Sequence, residues 1–535
     1  MVKKIIYGDE AKKALQKGVN TVADCVKGTL GAKGRFVAID REYTAPLITN
    51  DGVTIAKDIV LADEFENMGS KLVYEASSKT NTDSGDGTTT AIILAQALVN
   101  EGLRNVTAGA NPVFIKKGME EAVNIVVEHI KKTAQAINGA SDIAKIATIS
   151  SRDTEFGDII SKIIDEVGND VVITIEDSHT GTTSYEVVEG LQFDKGYITP
   201  HMVTNADKME AVIENPYILI TDQHITNIKD ILPILETVSQ EGRGLLIISD
   251  DIGNEIVGTL VANKMRGTLN VVCVKPPKFG ENREAWLEDI AIVTGGKFIS
   301  QKLGIELKSV TMQDLGSAKT VKVDKDSTTI VGGNGSSFLI EERVKALKAQ
   351  IDRTATDFEK EKLKERLAKM TSGVAVIRVG ANTETELADK KLRLEDALAA
   401  TRAAIGEGIV AGGGVALLSA SDVLEEIKSN YSGYVRTGIE IVQNAIQYPI
   451  KRIVENAGYE GAVVINEIRR INKQNYGFDV YEEKYVDMIE HGIIDPAKVT
   501  RTALQNALSI AGLILTTEVL VANDKDKKDT NNGNY

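Results

Sequence analysis

Apolar positions recur at helical spacing from about residue 11 to residue 130, with glycine-rich turns between the runs. One helix is expected over Ala91–Val99, and another from the cap and first-turn pair Asn111-Pro112 to His129. The pattern changes near residue 171, where the β-branched run Val171-Val172-Ile173-Thr174-Ile175 predicts a strand. From 190 to 373 strand-like runs (Leu245–Ile248, Val271–Val274, Ile292-Val293) alternate with helical ones (Ile231–Val238, Glu255–Lys264), as in an α/β layer. Residues 341–370 are densely charged. Their one apolar stripe, Val344, Leu347, Ile351, Ala355 and Phe358, falters near Thr356-Asp357, which predicts two successive helices.

Val374–Val379 returns to a strand pattern; Leu387–Ile405 is helical, and helical texture continues to about Val521. Ala522–Tyr535 is polar without an apolar anchor and is expected to be a disordered tail. Helical texture at both ends around an α/β middle predicts a terminal domain assembled from both halves of the chain. A chain of 535 residues exceeds what one core serves, so several domains are expected.

Aromatic residues make up 5% of the chain, so the cores must be built from Ala, Val, Ile and Leu. The net charge of -15 argues against nucleic acid or an anionic membrane as a main partner, since both need a basic face. Cys25 and Cys273 lack zinc-type spacing and read as two small buried hydrophobes in a reducing compartment. Gly8, Asp9 and Glu10 follow Met1–Tyr7 at once, unlike a signal peptide, so a cytoplasmic protein is expected.

The strongest local motif is Gly85-Asp86-Gly87-Thr88-Thr89-Thr90, directly before the helix at Ala91. Two glycines allow close backbone approach, a helix start offers free N–H groups to an anion, and Asp86 can hold Mg2+ against phosphates. A plain turn with an N-cap uses the same residues. Leu30-Gly31-Ala32-Lys33-Gly34-Arg35 is a second glycine loop, and Thr49-Asn50-Asp51-Gly52-Val53-Thr54 is a hairpin-like turn bearing a carboxylate. Gly296-Lys297 is followed by Phe298, so the chain has no Walker motif. Asp396 lies opposite Leu394 and Leu398 on a helical wheel, where a solvated carboxylate is the ordinary expectation.

Other patterns lack their context. Gly406–Ala411 spells a dinucleotide fingerprint behind a helix instead of a strand. The five histidines are scattered, and Asp324-Lys325-Asp326 lacks the Gly and Glu of a calcium loop.

In order and spacing the motifs resemble group I chaperonins, the GroEL type, over nearly the whole chain. The residues that carry the resemblance are Leu30–Arg35, Asp51-Gly52-Val53, Phe65–Gly69, Gly85–Thr90, Gly190–Asp194, Leu232–Glu236, Gly373–Ile377, Glu395–Leu398, Ala411–Gly414 and Ile494–Arg501. The resemblance implies a multidomain α and α/β subunit. A mostly helical equatorial ATP-binding domain would span 1–132 and 407–535, a small intermediate hinge domain 133–189 and 374–406, and an α/β apical domain 190–373. Gly190 and Gly373 would sit at the hinges.

It further implies that Leu30, Gly31, Ala32, Ser150, Gly413 and Asp495 line the nucleotide and that Gly87, Thr88, Thr89 and Thr90 hold its phosphates. Asp86 would bind Mg2+, and Asp51 and Asp396 would be catalytic, activating water. Tyr197, Leu232, Leu235, Val257 and Val261 would form an apolar groove for non-native proteins; read alone, they are ordinary core residues. The implied cofactors are ATP, Mg2+ and K+. The implied partners are unfolded proteins, a GroES-type co-chaperonin and copies of the same chain in two stacked seven-membered rings, in a bacterial cytoplasm. A non-catalytic, adhesin-like scaffold is the competing expectation, which the joint presence of Asp51, Asp86 and Asp396 opposes.

The chain departs from the family pattern at Ala32, usually Pro; at Asn50, usually Lys; and at His201 and Met202, usually an aromatic pair. Asp479, Val480 and Tyr481 differ on the nucleoside side, and the tail lacks Gly-Met repeats.

Overall fold

The computed structural model describes residues 3–41, 46–168, 171–178, 181–188, 190–206, 208–354, 356–371 and 373–523. The chain forms two compact units. One comprises Met1–Lys162, His179–Thr182 and Val379–Tyr535, and the other Ile163–Ser178 and Thr183–Arg378.

The first unit is a helical body closed by the two chain ends. Strand Lys3–Tyr7 pairs antiparallel with Val519–Asn523, from Lys3 opposite Asn523 to Tyr7 opposite Val519. Ala522 and Asn523 therefore belong to a sheet, not to a tail: alternation of buried Leu520 and Ala522 with exposed neighbours seats them. The rest of the expected tail, 524–535, lies outside the described residues.

Helix Gly8–Val26 presents Ala11, Leu15, Val19, Val22 and Val26 to the core at steps of three and four. Helix Thr88–Thr107 is buried from Ala91 to Val99 on every side and forms the centre of the body. Gln96 within it is satisfied by Asn20 Oδ1 at 3.0 Å and Asp24 Oδ1 at 3.2 Å, as a buried amide must be. Helix Pro112–Thr133 starts as its sequence dictates, with the Asn111 side chain accepting from Val113 N at 2.9 Å. Helix Ala497–Thr516, from the other end of the chain, packs against Glu64–Ser84, Thr88–Thr107 and Pro112–Thr133.

The second unit is an α/β layer. Its path through the main sheet runs Val271–Val274, Leu245–Ile248, Tyr217–Thr221, Gly316–Val323, Thr328–Gly333, Gly190–Phe193. The first three strands are mutually parallel, and Gly316–Val323 reverses direction. Leu245–Ile248 and Val271–Val274 are buried along their whole length, which is why they read as unbroken apolar runs. The charged segment is two helices, Ser337–Arg353 and Asp357–Thr371, and Leu347 of the stripe is fully buried. Asp289 on helix Glu281–Thr294 pins both to the layer: it accepts from Arg343 Nε at 2.7 Å and from Arg366 Nε at 2.7 Å.

Four further expectations need correction. Ile292 and Val293 end helix Glu281–Thr294, because burial against the sheet overrides their β propensity. Asp51 is not in a hairpin turn; it caps helix Gly52–Asp58, accepting from Thr54 N at 2.8 Å. Cys25 is exposed, although Cys273 is buried. Strands Ile409–Ala411 and Ile494–Pro496, and the hairpin Tyr476–Asp479 with Lys484–Asp487, interrupt the C-terminal helices.

Candidate functional site

Segments from both ends of the first unit meet around two adjoining cavities. The larger, about 490 Å3, is lined by Gly31, Ala32, Gly413, Pro449, Ile453, Tyr481 and Asp495 among others. The smaller, about 110 Å3, is polar and holds Asn50, Asp51, Thr88, Thr89, Arg393 and Asp396. Leu30, Asp86, Gly87, Thr90, Ser150 and Arg152 border both.

Helix Thr88–Thr107 aims its N-terminus at this junction, behind Gly87 in the left-handed region (φ 83°). Its first N–H groups have no partners within the helix and form an anion site. The turn is tightly packed from outside. A Cβ on Gly52 would stand 2.4 Å from Thr89 Oγ1, and one on Gly85 would stand 2.0 Å from Ala399 Cβ. The second contact lets helix Glu384–Glu407 approach the turn and carry Asp396 into the polar cavity.

Asp86 accepts from Gly87 N and from Ser150 Oγ at 3.0 Å. Burial nevertheless raises its pKa, these two donors opposing the shift and the Asp51 charge adding to it. Asp396 is pushed well above the usual carboxylate range by burial first and then by the charges of Asp86 and Asp51. Asp495, on strand Ile494–Pro496, is raised to about 7 by burial and by Asp86. Asp51 is aligned by its cap and by Thr88 Oγ1, which donates to Oδ1 at 3.2 Å.

The glycine loop is braced although Ala32 replaces proline. Asn456 Nδ2 donates to Leu30 O at 2.9 Å, Tyr481 Oη donates to Ala32 O at 3.1 Å, and Gly34 N closes on Gly31 O at 3.0 Å. Tyr481, one of the departures from the family pattern, thus supports the loop from within the larger cavity.

All thirteen residues assigned to the nucleotide, the metal ion and catalysis line one or other cavity. Arg152, Arg393, Pro449 and Ile453 join them without having been read from the sequence. Each is an ordinary residue of a helix or helix end, and no short motif marks it. The five residues assigned to an apolar groove lie in the other unit. Leu232 is exposed, Tyr197, Val257 and Val261 are half-buried against the core, and Leu235 is only 7% exposed. Among the described residues, no three His, Cys, Asp or Glu side chains converge as a metal cage. Mg2+ needs none, since it binds through one or two carboxylates and substrate phosphates, and Asp86 at the helix start fits that role.

A helix N-terminus, three carboxylates and an apolar chamber beside them make a cleft fitted to a polyphosphate joined to a flat apolar group. The chain carrying it matches the TCP-1/cpn60 chaperonin family over residues 22–525, and it belongs to that family. Its fold is similar to that of the chaperonin gp146 from the bacteriophage EL 2 (Pseudomonas aeruginosa), crystallised in the presence of ATP-BeFx. The two are 18% identical, with a TM-score of 0.66 covering 97% of this chain and 99% of that one. No helix among the described residues is long and apolar enough to cross a membrane.

Proposed function

We propose that this chain is an ATP-hydrolysing subunit of a group I type protein-folding ring. The observation that carries the reading is the meeting of Asp51, Asp86 and Asp396 at the start of helix Thr88–Thr107. The adenine and ribose occupy the larger cavity, against Gly31, Ile453 and Gly413, and the phosphates lie on Gly87–Thr90. Mg2+, when bound at Asp86, supplies charge neutralisation for the phosphates.

Asp51 and Asp396 orient a water for in-line attack on the terminal phosphorus. The new P–O bond forms as the bond to the bridging oxygen breaks; ADP and phosphate leave, and the water's proton passes to a carboxylate and then to solvent. Asp396, held above the ordinary carboxylate range, is suited to take that proton.

In this reading 1–132 with 407–535 form the equatorial domain, 133–189 with 374–406 the hinged intermediate domain, and 190–373 the apical domain. Non-native proteins are captured on an apolar surface around Leu232, a GroES-type co-chaperonin closes the chamber, and the subunits form two seven-membered rings. Asp396 sits on the intermediate segment, so its arrival would time hydrolysis to domain closure.

The test is Asp396→Asn, assayed with Mg2+ and K+ present. Nucleotide affinity should stay near that of the wild type, while turnover falls about 10²- to 10⁴-fold. Equal loss of binding and turnover would remove Asp396 from the chemistry.

A further inference from the structure

The second unit has a cavity of its own, about 410 Å3, where the end of strand Gly190–Phe193 meets the first turns of helix Glu281–Thr294 and helix Asp357–Thr371. Phe193, Pro277 and Trp286, all buried, give it an apolar floor. Phe279 also lines it, with 80% of its surface exposed. A lone exposed ring is ordinary, but this one stands beside apolar surface that the fold has left unfilled.

Three lysines line this cavity, and they are held differently. Lys278 Nζ pairs with Glu365 at 2.8 Å and lies 5.9 Å from the centre of the Trp286 ring. Its backbone is left-handed (φ 60°), a region that strains lysine and suits glycine, so a cation is placed here against local preference. Lys195 Nζ lies 5.4 Å from the centre of the Phe279 ring. Among the described residues, neither Lys195 nor Lys369 has an ion-pair partner. Asp194 and Glu365 are the carboxylates of the lining, so the cavity keeps a net positive charge beside its apolar floor.

We propose that this cavity binds a small organic anion with an aromatic body, of the arylcarboxylate class. The ring packs on Phe193, Pro277 and Trp286 beside Phe279, and the carboxylate accepts charge-assisted hydrogen bonds from Lys195 and Lys369, the two cations not engaged in ion pairs. The volume is that of an ordinary small-molecule site, which starts at about 300 Å3. A neutral aromatic meets the same floor without the charge pairing, so the lysines set the selectivity. The site lies within the second unit and is independent of the nucleotide reading.

Trp286 is the only tryptophan of the chain, so tryptophan fluorescence reports on this cavity. The probes are phenylacetate and its neutral isostere phenylacetamide, titrated into the wild-type full chain. Phenylacetate should change the emission along a saturable curve with a Kd below about 1 mM, and phenylacetamide should bind about 10-fold more weakly. That comparison needs no variant. Lys195→Gln and Lys369→Gln, at half-buried positions without ion pairs, should each weaken phenylacetate about 10-fold and leave the ligand-free emission unchanged. Lys308→Gln, at an exposed lysine outside the lining, should bind as the wild type does. Emission that changes linearly without saturating, equal affinity for acid and amide, or wild-type affinity in both lysine variants of the lining would each overturn the proposal.

Discussion

Ser150 Oγ donates to Asp86 Oδ2 across 3.0 Å, joining the end of helix Ala140–Ser151 to the turn that starts helix Thr88–Thr107. This hydrogen bond favours the charged form of a carboxyl that burial pushes toward neutrality. Ser150→Ala should therefore raise the Asp86 pKa further and weaken Mg2+-dependent nucleotide binding by about 2- to 10-fold, the range of one net hydrogen bond. Titration calorimetry with and without Mg2+ checks it. An equal loss without Mg2+ would show that Ser150 touches the nucleotide, not the metal ligand.

Asp495 gives the protein a pH dependence of definite sign. Its carboxyl is raised to about 7 in the fold, while an unfolded Asp titrates near 3.9. Between those values the folded chain binds more protons than the unfolded one, so stability is full at low pH and falls as pH rises through about 7. Asp495→Asn removes the charge without changing shape. Its thermal midpoint should exceed that of the wild type at pH 8, and the advantage should shrink toward pH 5. A constant difference between the two midpoints across that range would show that Asp495 does not titrate there.

Much of this architecture is legible in the sequence because it rests on local physics. Gly85–Thr90 announces a turn and helix start, Asn111-Pro112 announces a cap, and the apolar runs of the α/β unit are its fully buried strands. Asp396 was not legible by the same means. A helical wheel places it opposite Leu394 and Leu398, but it cannot say that Gly85 lets another turn pack against that polar face within the radius of a methyl group. Thr49–Thr54 was ambiguous because Asn, Asp and Gly serve hairpins and helix caps alike. Ile292 and Val293 misled because tertiary burial outweighs β-branched propensity. Arg152 left no trace, since its meaning depends on Thr29 and on the carboxylates that three other segments bring to it.

Burial also decides which apolar residue can test capture of non-native proteins. Leu235 is 7% exposed and packs into the core of its unit, whereas Leu232, three residues earlier at the start of helix Leu232–Glu241, is 39% exposed. A charge at Leu235 would be buried without a partner and would cost several kcal/mol of stability. Lost capture in Leu235→Glu would then report unfolding of the layer. Leu232→Glu places the same charge where water already reaches, so the thermal midpoint should stay close to that of the wild type. Because capture by an apolar surface depends on area removed from water, suppression of light scattering from a diluted, denatured client protein should weaken in this variant while ATP turnover is unaffected. Unchanged suppression would move the capture surface away from this helix, toward the exposed Met265 or Phe279 of the same unit.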